Sequence, residues 1–130
     1  MHRRILVKEW VLKAEHDFET AKLTLKHKPA LTDIICFHSQ QTVEKYLKAY
    51  CIHLEISFER SHDLIYLLDI IRQKTGKMSD PFYEMCEELN AYAVEVRYPD
   101  DWNQPAKEDA ASALKAAWTL RKDLRKLMKI

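Results

Sequence analysis

Gln40-Gln41-Thr42-Val43-Glu44-Lys45-Tyr46-Leu47-Lys48-Ala49 is the stretch on which the fold turns. At about 100° per residue on a helix, Cys36, Val43, Leu47, Tyr50, Cys51 and Leu54 form one apolar stripe. Gln40 falls inside that stripe, and Glu44 and Lys48 run along one border of it. An amide facing a core costs free energy unless its hydrogen bonds are met. The spacing therefore predicts a long inward-facing helix and a polar network around Gln40, Gln41 and Glu44, within a bundle or between subunits.

Working outward, the same periodicity predicts four more helices. One runs from about Ile5 to His27, with Val7, Val11, Ala14, Phe18, Ala21 and Leu25 inward, and Pro29 ends it. The central helix spans about Leu31 to Leu54. A third is expected from His62 to Lys74, with Ser61 as N-cap, Leu64, Leu67, Leu68 and Ile71 inward, and Gly76 as the stop. Asp63 sits where a carboxylate favours the positive end of the helix dipole, and it is assigned to the same polar network or interface as Gln40, Gln41 and Glu44.

Ser79-Asp80-Pro81 opens a fourth helix, whose stripe Phe82, Cys86, Leu89, Ala93 and Val96 runs up to Pro99. The last begins near Pro105 and turns Ala110, Ala113, Leu114, Ala117, Leu120, Leu124 and Leu127 inward. Trp118 is expected to pack. The fold class is all-α, an antiparallel four- to five-helix bundle, in a single domain over 1–130.

Composition agrees with an ordered globule: 47% hydrophobic and 32% charged residues, with one glycine and four prolines. So little turn chemistry argues against many short strands. With 21 basic and 20 acidic residues the net charge is +1, which does not call for nucleic acid as a partner. Cys36, Cys51 and Cys86 are odd in number and lack zinc spacing, so buried free thiols are expected, with no metal and no cofactor. The basic start, Met1 to Glu9, carries only three apolar residues before charge returns, too few for a signal peptide, and no run reaches membrane-spanning length. A cytoplasmic protein with no membrane partner is the expectation.

Three polar groups stand out: Gln40/Gln41/Glu44/Lys48, Ser61-His62-Asp63-Leu64, and Arg97-Tyr98-Pro99-Asp100. Together with Trp10, Ala14, Asp17, Phe18 and Ala21 in the first helix, their order and spacing resemble the HEPN domain family, of the minimal, nucleotidyltransferase-associated type. The resemblance covers most of the chain from about Trp10. It implies a bundle, commonly a homodimer, often encoded beside a small nucleotidyltransferase as one half of a toxin–antitoxin-like pair.

Many members are metal-independent ribonucleases whose motif is an Arg, four to six residues, then a His. Arg97 matches the Arg, but the His positions hold Trp102, Asn103 and Gln104. Neither an indole nor an amide moves a proton at neutral pH. The chain is therefore read first as a binding and interaction protein, the partner of a small nucleotidyltransferase. In that reading Arg97, Tyr98, Lys48 and Asp100 contribute to a nucleotide or RNA site: the guanidinium holds phosphate and Tyr98 offers a stacking face.

The alternative is a ribonuclease toxin using Arg97 with a displaced acid–base group, His62, which otherwise reads as part of a helix cap. A third reading is a structural helical adaptor. Simpler accounts of the same residues are an Arg97 ion pair with Glu95 or Asp100, and an ordinary i,i+4 pair between Glu44 and Lys48.

Overall fold

The computed structural model describes residues 2–93 and 104–130. Five helices follow in order: α1 (His2–His27), α2 (Thr32–His53), α3 (Leu64–Thr75), α4 (Asp80–Asn90) and α5 (Lys107–Met128). No strand occurs among the described residues. The all-α bundle read from the periodicity is the observed architecture.

α2 lies at the centre and packs against all four other helices. Buried residues face out from it on every side: Ile35, Cys36, Ser39, Gln40, Thr42, Val43, Tyr46 and Leu47 lose all contact with water. A helix enclosed over most of its surface puts several polar side chains out of reach of water, and these need partners inside the protein. α1 is antiparallel to α2 across a short link, and α5 is antiparallel to α1, because Phe18 meets Trp118 and Val7 meets Met128 along shared surface hollows. Thr32 Oγ1 donates to the Pro105 carbonyl at 2.7 Å, joining the first turn of α2 to the approach of α5. Leu64, Leu67, Leu68 and Ile71 of α3 close the core from the other side, all fully buried, as their spacing predicts.

Several details differ from the sequence expectations. α3 starts at Leu64 rather than His62, with Asp63 as its N-cap: the carboxylate accepts from Ile65 N–H at 2.9 Å. Ser61 instead accepts from Asp63 N–H at 3.0 Å, one step before the helix. α4 stops at Asn90, so Ala93 falls outside the helix, and Val96 lies outside the described residues. Asn90 explains the early stop. Its Oδ1 accepts from Leu64 N–H at 2.9 Å and its Nδ2 donates to Asp63 at 2.8 Å, tying the end of α4 to the start of α3.

Leu25 and Leu127 are exposed rather than inward, and Met128 is buried in place of Leu127. Trp118 does not pack; half its surface meets water. Among the described residues no helix is long and apolar enough to cross a membrane.

Candidate functional site

The polar group on α2 condenses around one carboxylate. Glu44, 3% exposed, accepts from Gln40 Nε2 at 3.2 Å, Lys48 Nζ at 3.0 Å and His62 Nδ1 at 3.0 Å. Gln41 Nε2 donates to Gln40 Oε1 at 2.6 Å, and Gln40 also reaches the His62 carbonyl at 3.4 Å. Lys48, with 9% of its side chain exposed, lies over the Trp10 ring of α1 at 5.5 Å. The buried amide thus has partners on both of its ends. A buried ion pair stripped of water needs such additional hydrogen bonds to be tolerated.

His62 stands at the outer end of this network, on the connector from α2 to α3, with 71% of its side chain exposed. A carboxylate oxygen accepts, and in the tautomer that satisfies this contact Nδ1 donates to Glu44. That contact fixes the ring: Nδ1 carries a proton and Nε2 is turned away from the carboxylate. The arrangement is an oriented imidazole backed by a buried negative charge. It suits holding an anion, or moving a proton at Nε2.

Asp63, which sequence placed in the same network, does not join it and caps α3 with Asn90. Lys48 is directed at Glu44 and Trp10, as an internal counter-ion rather than a surface cation. Arg97, Tyr98 and Asp100, with Glu95, Trp102 and Asn103, lie outside the described residues. Gln104 is described: its amide donates to the Ala30 carbonyl and to Thr32 Oγ1, both at 3.0 Å. Glu44 stands twelve residues beyond Thr32, about 18 Å along the axis of α2. His62 therefore belongs to a different level of the bundle from position 104.

Two further ionic clusters flank α2, and sequence reasoning missed both. Asp17 of α1 accepts from His38 Nδ1 at 2.8 Å and from Lys45. Burial pushes the Asp17 carboxyl up, but the hydrogen bonds from His38 and Lys45 outweigh it and hold it below the ordinary range. The available signal was a carboxylate between Ala14, Phe18 and Ala21 on an inward stripe.

In the second cluster, Arg121 clamps Glu15 through two bonds of 2.6 Å. Tyr46 donates to Glu15 at 2.6 Å and receives Arg125 at 3.0 Å. The basic end of α5 thus in part serves this cluster. The guanidinium of Arg121 lowers the Glu15 carboxyl, and burial with the carboxylate beside it raises the Tyr46 hydroxyl to about 12. No cluster of His, Cys, Asp or Glu among the described residues could hold a metal ion.

The HEPN domain model matches residues 7–127, nearly the whole chain and all five helices. The chain belongs to the HEPN family. A protein of Methanocaldococcus jannaschii named "Putative toxin MJ1304" is 35% identical over 126 residues, spanning 85% of this chain and 80% of that protein. The crystal structure of an archaeal HEPN homologue superposes with a TM-score of 0.74, covering 94% of this chain and 97% of that one at 22% identity. That likeness concerns the fold. The HEPN bundle here is thus built around an α2 whose Gln40, Glu44 and Lys48 are paired internally, while the buried Ser39 hydroxyl has no hydrogen-bond partner among the described residues, and it presents His62 at the surface.

Proposed function

We infer that this HEPN protein is the toxin-like half of a two-protein module, held in check by a small nucleotidyltransferase, and that it engages a nucleotide or RNA phosphate beside His62. The observation that carries the ligand site is the exposed imidazole of His62 fixed by Glu44, a carboxylate buried with its own counter-ion. Lys48 offsets the charge of Glu44, and with Nε2 also protonated the oriented ring donates to an approaching phosphate. In this reading Arg97 and Tyr98 supply a guanidinium and an aromatic face to the same ligand, and Asp100 is assigned to the same site. The module role is supported by the 35% identity to a protein named as a toxin. As in related bundles of the family, the working unit is a homodimer.

Controlled expression in a bacterial host tests this reading. The chain alone should slow growth, and co-expression of the nucleotidyltransferase from the neighbouring reading frame should restore it. Unimpaired growth at high expression, or impairment that the second protein leaves unchanged, counts against it.

The His62–Glu44 contact also favours a second reading, a metal-independent ribonuclease with His62 as the acid–base group and Arg97 stabilising phosphate charge. Purified protein should then cleave RNA in the presence of a chelator, and both Arg97→Ala and His62→Ala should abolish cleavage. Equal inactivity of wild type and variants sinks it.

A further inference from the structure

α1 and α5 leave an open groove of about 400 Å³ between them. Its walls are Phe18, Lys22 and Leu25 from α1, and Ala111, Leu114, Lys115 and Trp118 from α5. Both sets recur at three- and four-residue steps, so the groove runs along two antiparallel helices for about two turns. Its floor is apolar, and half of the Trp118 surface and more than a third of Leu25 meet water. No carboxylate lines it.

The charge around this floor is one-sided. Lys22 lies 5.2 Å from the centre of the Phe18 ring, Arg121 lies 4.7 Å from the same ring, and Lys122 lies 5.3 Å from that of Trp118. Lys115 stands in the wall itself. Arg121 and Glu15 offset each other, and Glu19 pairs loosely with Lys22 at 3.9 Å, so the rim charge rests on Lys22, Lys115 and Lys122. In a chain whose net charge is only +1, this is a local positive rim on an apolar slot.

We propose that the α1–α5 groove docks an acidic amphipathic helix of a partner protein, its apolar side chains in the slot and its carboxylates on Lys22, Lys115 and Lys122. The proposal rests on the groove alone and holds whether or not the partner is a nucleotidyltransferase. Helix-in-groove recognition needs an apolar trough with anchors at helical spacing and a rim of opposite charge, and both are present. A second copy of this chain fits poorly, because a two-fold contact would bring each lysine rim against itself. Single-stranded RNA fits less well, because a cation already lies over each aromatic ring and the floor offers aliphatic carbon rather than hydrogen-bonding groups.

The test uses the full chain and a fluorescein-labelled synthetic helical peptide. The peptide carries leucines on one stripe and glutamates elsewhere, and its twin has lysine at every glutamate position. Fluorescence anisotropy should show saturable binding of the acidic peptide only, weakening as salt rises. Trp118→Glu and Lys115→Glu should each weaken it at least tenfold, and both variants should keep the wild-type circular dichroism spectrum because both side chains are exposed. No saturable binding of the acidic peptide overturns the proposal. So does equal binding of both peptides, or binding indifferent to Trp118→Glu. Two other results also overturn it by assigning the groove elsewhere: an oligo(U) RNA whose binding is lost in Trp118→Glu, and a concentration-dependent dimer that Trp118→Glu dissociates.

Discussion

Replacing Glu44 with leucine probes the network most sharply, because it removes the one acceptor shared by Gln40, Lys48 and His62. Lys48, with 9% of its side chain exposed, is left with only the face of Trp10 for its charge. Breaking a buried pair by removing one partner costs about 3–5 kcal/mol, against a total stability of about 5–15 kcal/mol for a domain. At this chain length each kcal/mol moves the melting midpoint by about 3–5 °C, so Glu44→Leu should lower it by at least 10 °C or so.

Lys48→Met should cost less, because Gln40 and His62 still donate to the carboxylate. The double variant Glu44→Leu/Lys48→Met should return to within about 1 kcal/mol of wild type, since an apolar pair of similar volume replaces an ion pair no better than neutral overall. Urea unfolding followed by circular dichroism gives the full cycle, with an expected coupling of about 3 kcal/mol or more. If Glu44→Leu costs under about 1 kcal/mol, the pair behaves as a hydrated surface contact. If the double variant is as unstable as the sum of the singles, the two charges are not coupled. Either result refutes the buried network.

Acidification should weaken the bundle through Glu15 and Asp17, whose folded carboxyls lie below the ordinary range. The stability they contribute is present above the unfolded pKa and lost as pH falls through the folded one, so the midpoint should drop below the ordinary carboxylate range and drop less in Glu15→Gln. A pH series of thermal melts reads this. Asp63→Ala and Asn90→Ala should each cost about 1 kcal/mol, and less than their sum together, because both cap the first turn of α3; urea titration of the three variants checks it. Burial pushes Cys36 up to about 11, and Cys51 and Cys86 to about 12, so a thiol reagent at pH 8 should label none of them in the folded protein and all three in urea.

The fold was legible wherever one helix carried its own signal. The α2 stripe with Gln40 inside it, and the four apolar residues of α3, follow from helical spacing and stand where that spacing puts them. The start of α3 was misread because Ser61 and Asp63 are both good caps two residues apart, and the choice is made by Asn90, which comes from another helix. The polar network of Gln40, Gln41 and Glu44 was legible from the stripe, but the burial of Lys48 over Trp10 was not, because periodicity along α2 does not report what α1 lays against it. The contacts of Asp17 with His38 and Lys45, and of Glu15 with Arg121, join residues far apart in sequence, so no local pattern announces them. The family resemblance, carried by the Gln-Gln-x-x-Glu-Lys run, the His-Asp-Leu step and Arg-Tyr-Pro, agrees with the domain match over residues 7–127.

Isothermal titration of the purified chain with the product of the neighbouring reading frame, proposed to be a small nucleotidyltransferase, tests the module most directly. A saturable complex at micromolar concentrations or tighter, with a fixed stoichiometry, is the predicted result. Two proteins that release no heat on mixing and elute separately at those concentrations would contradict it.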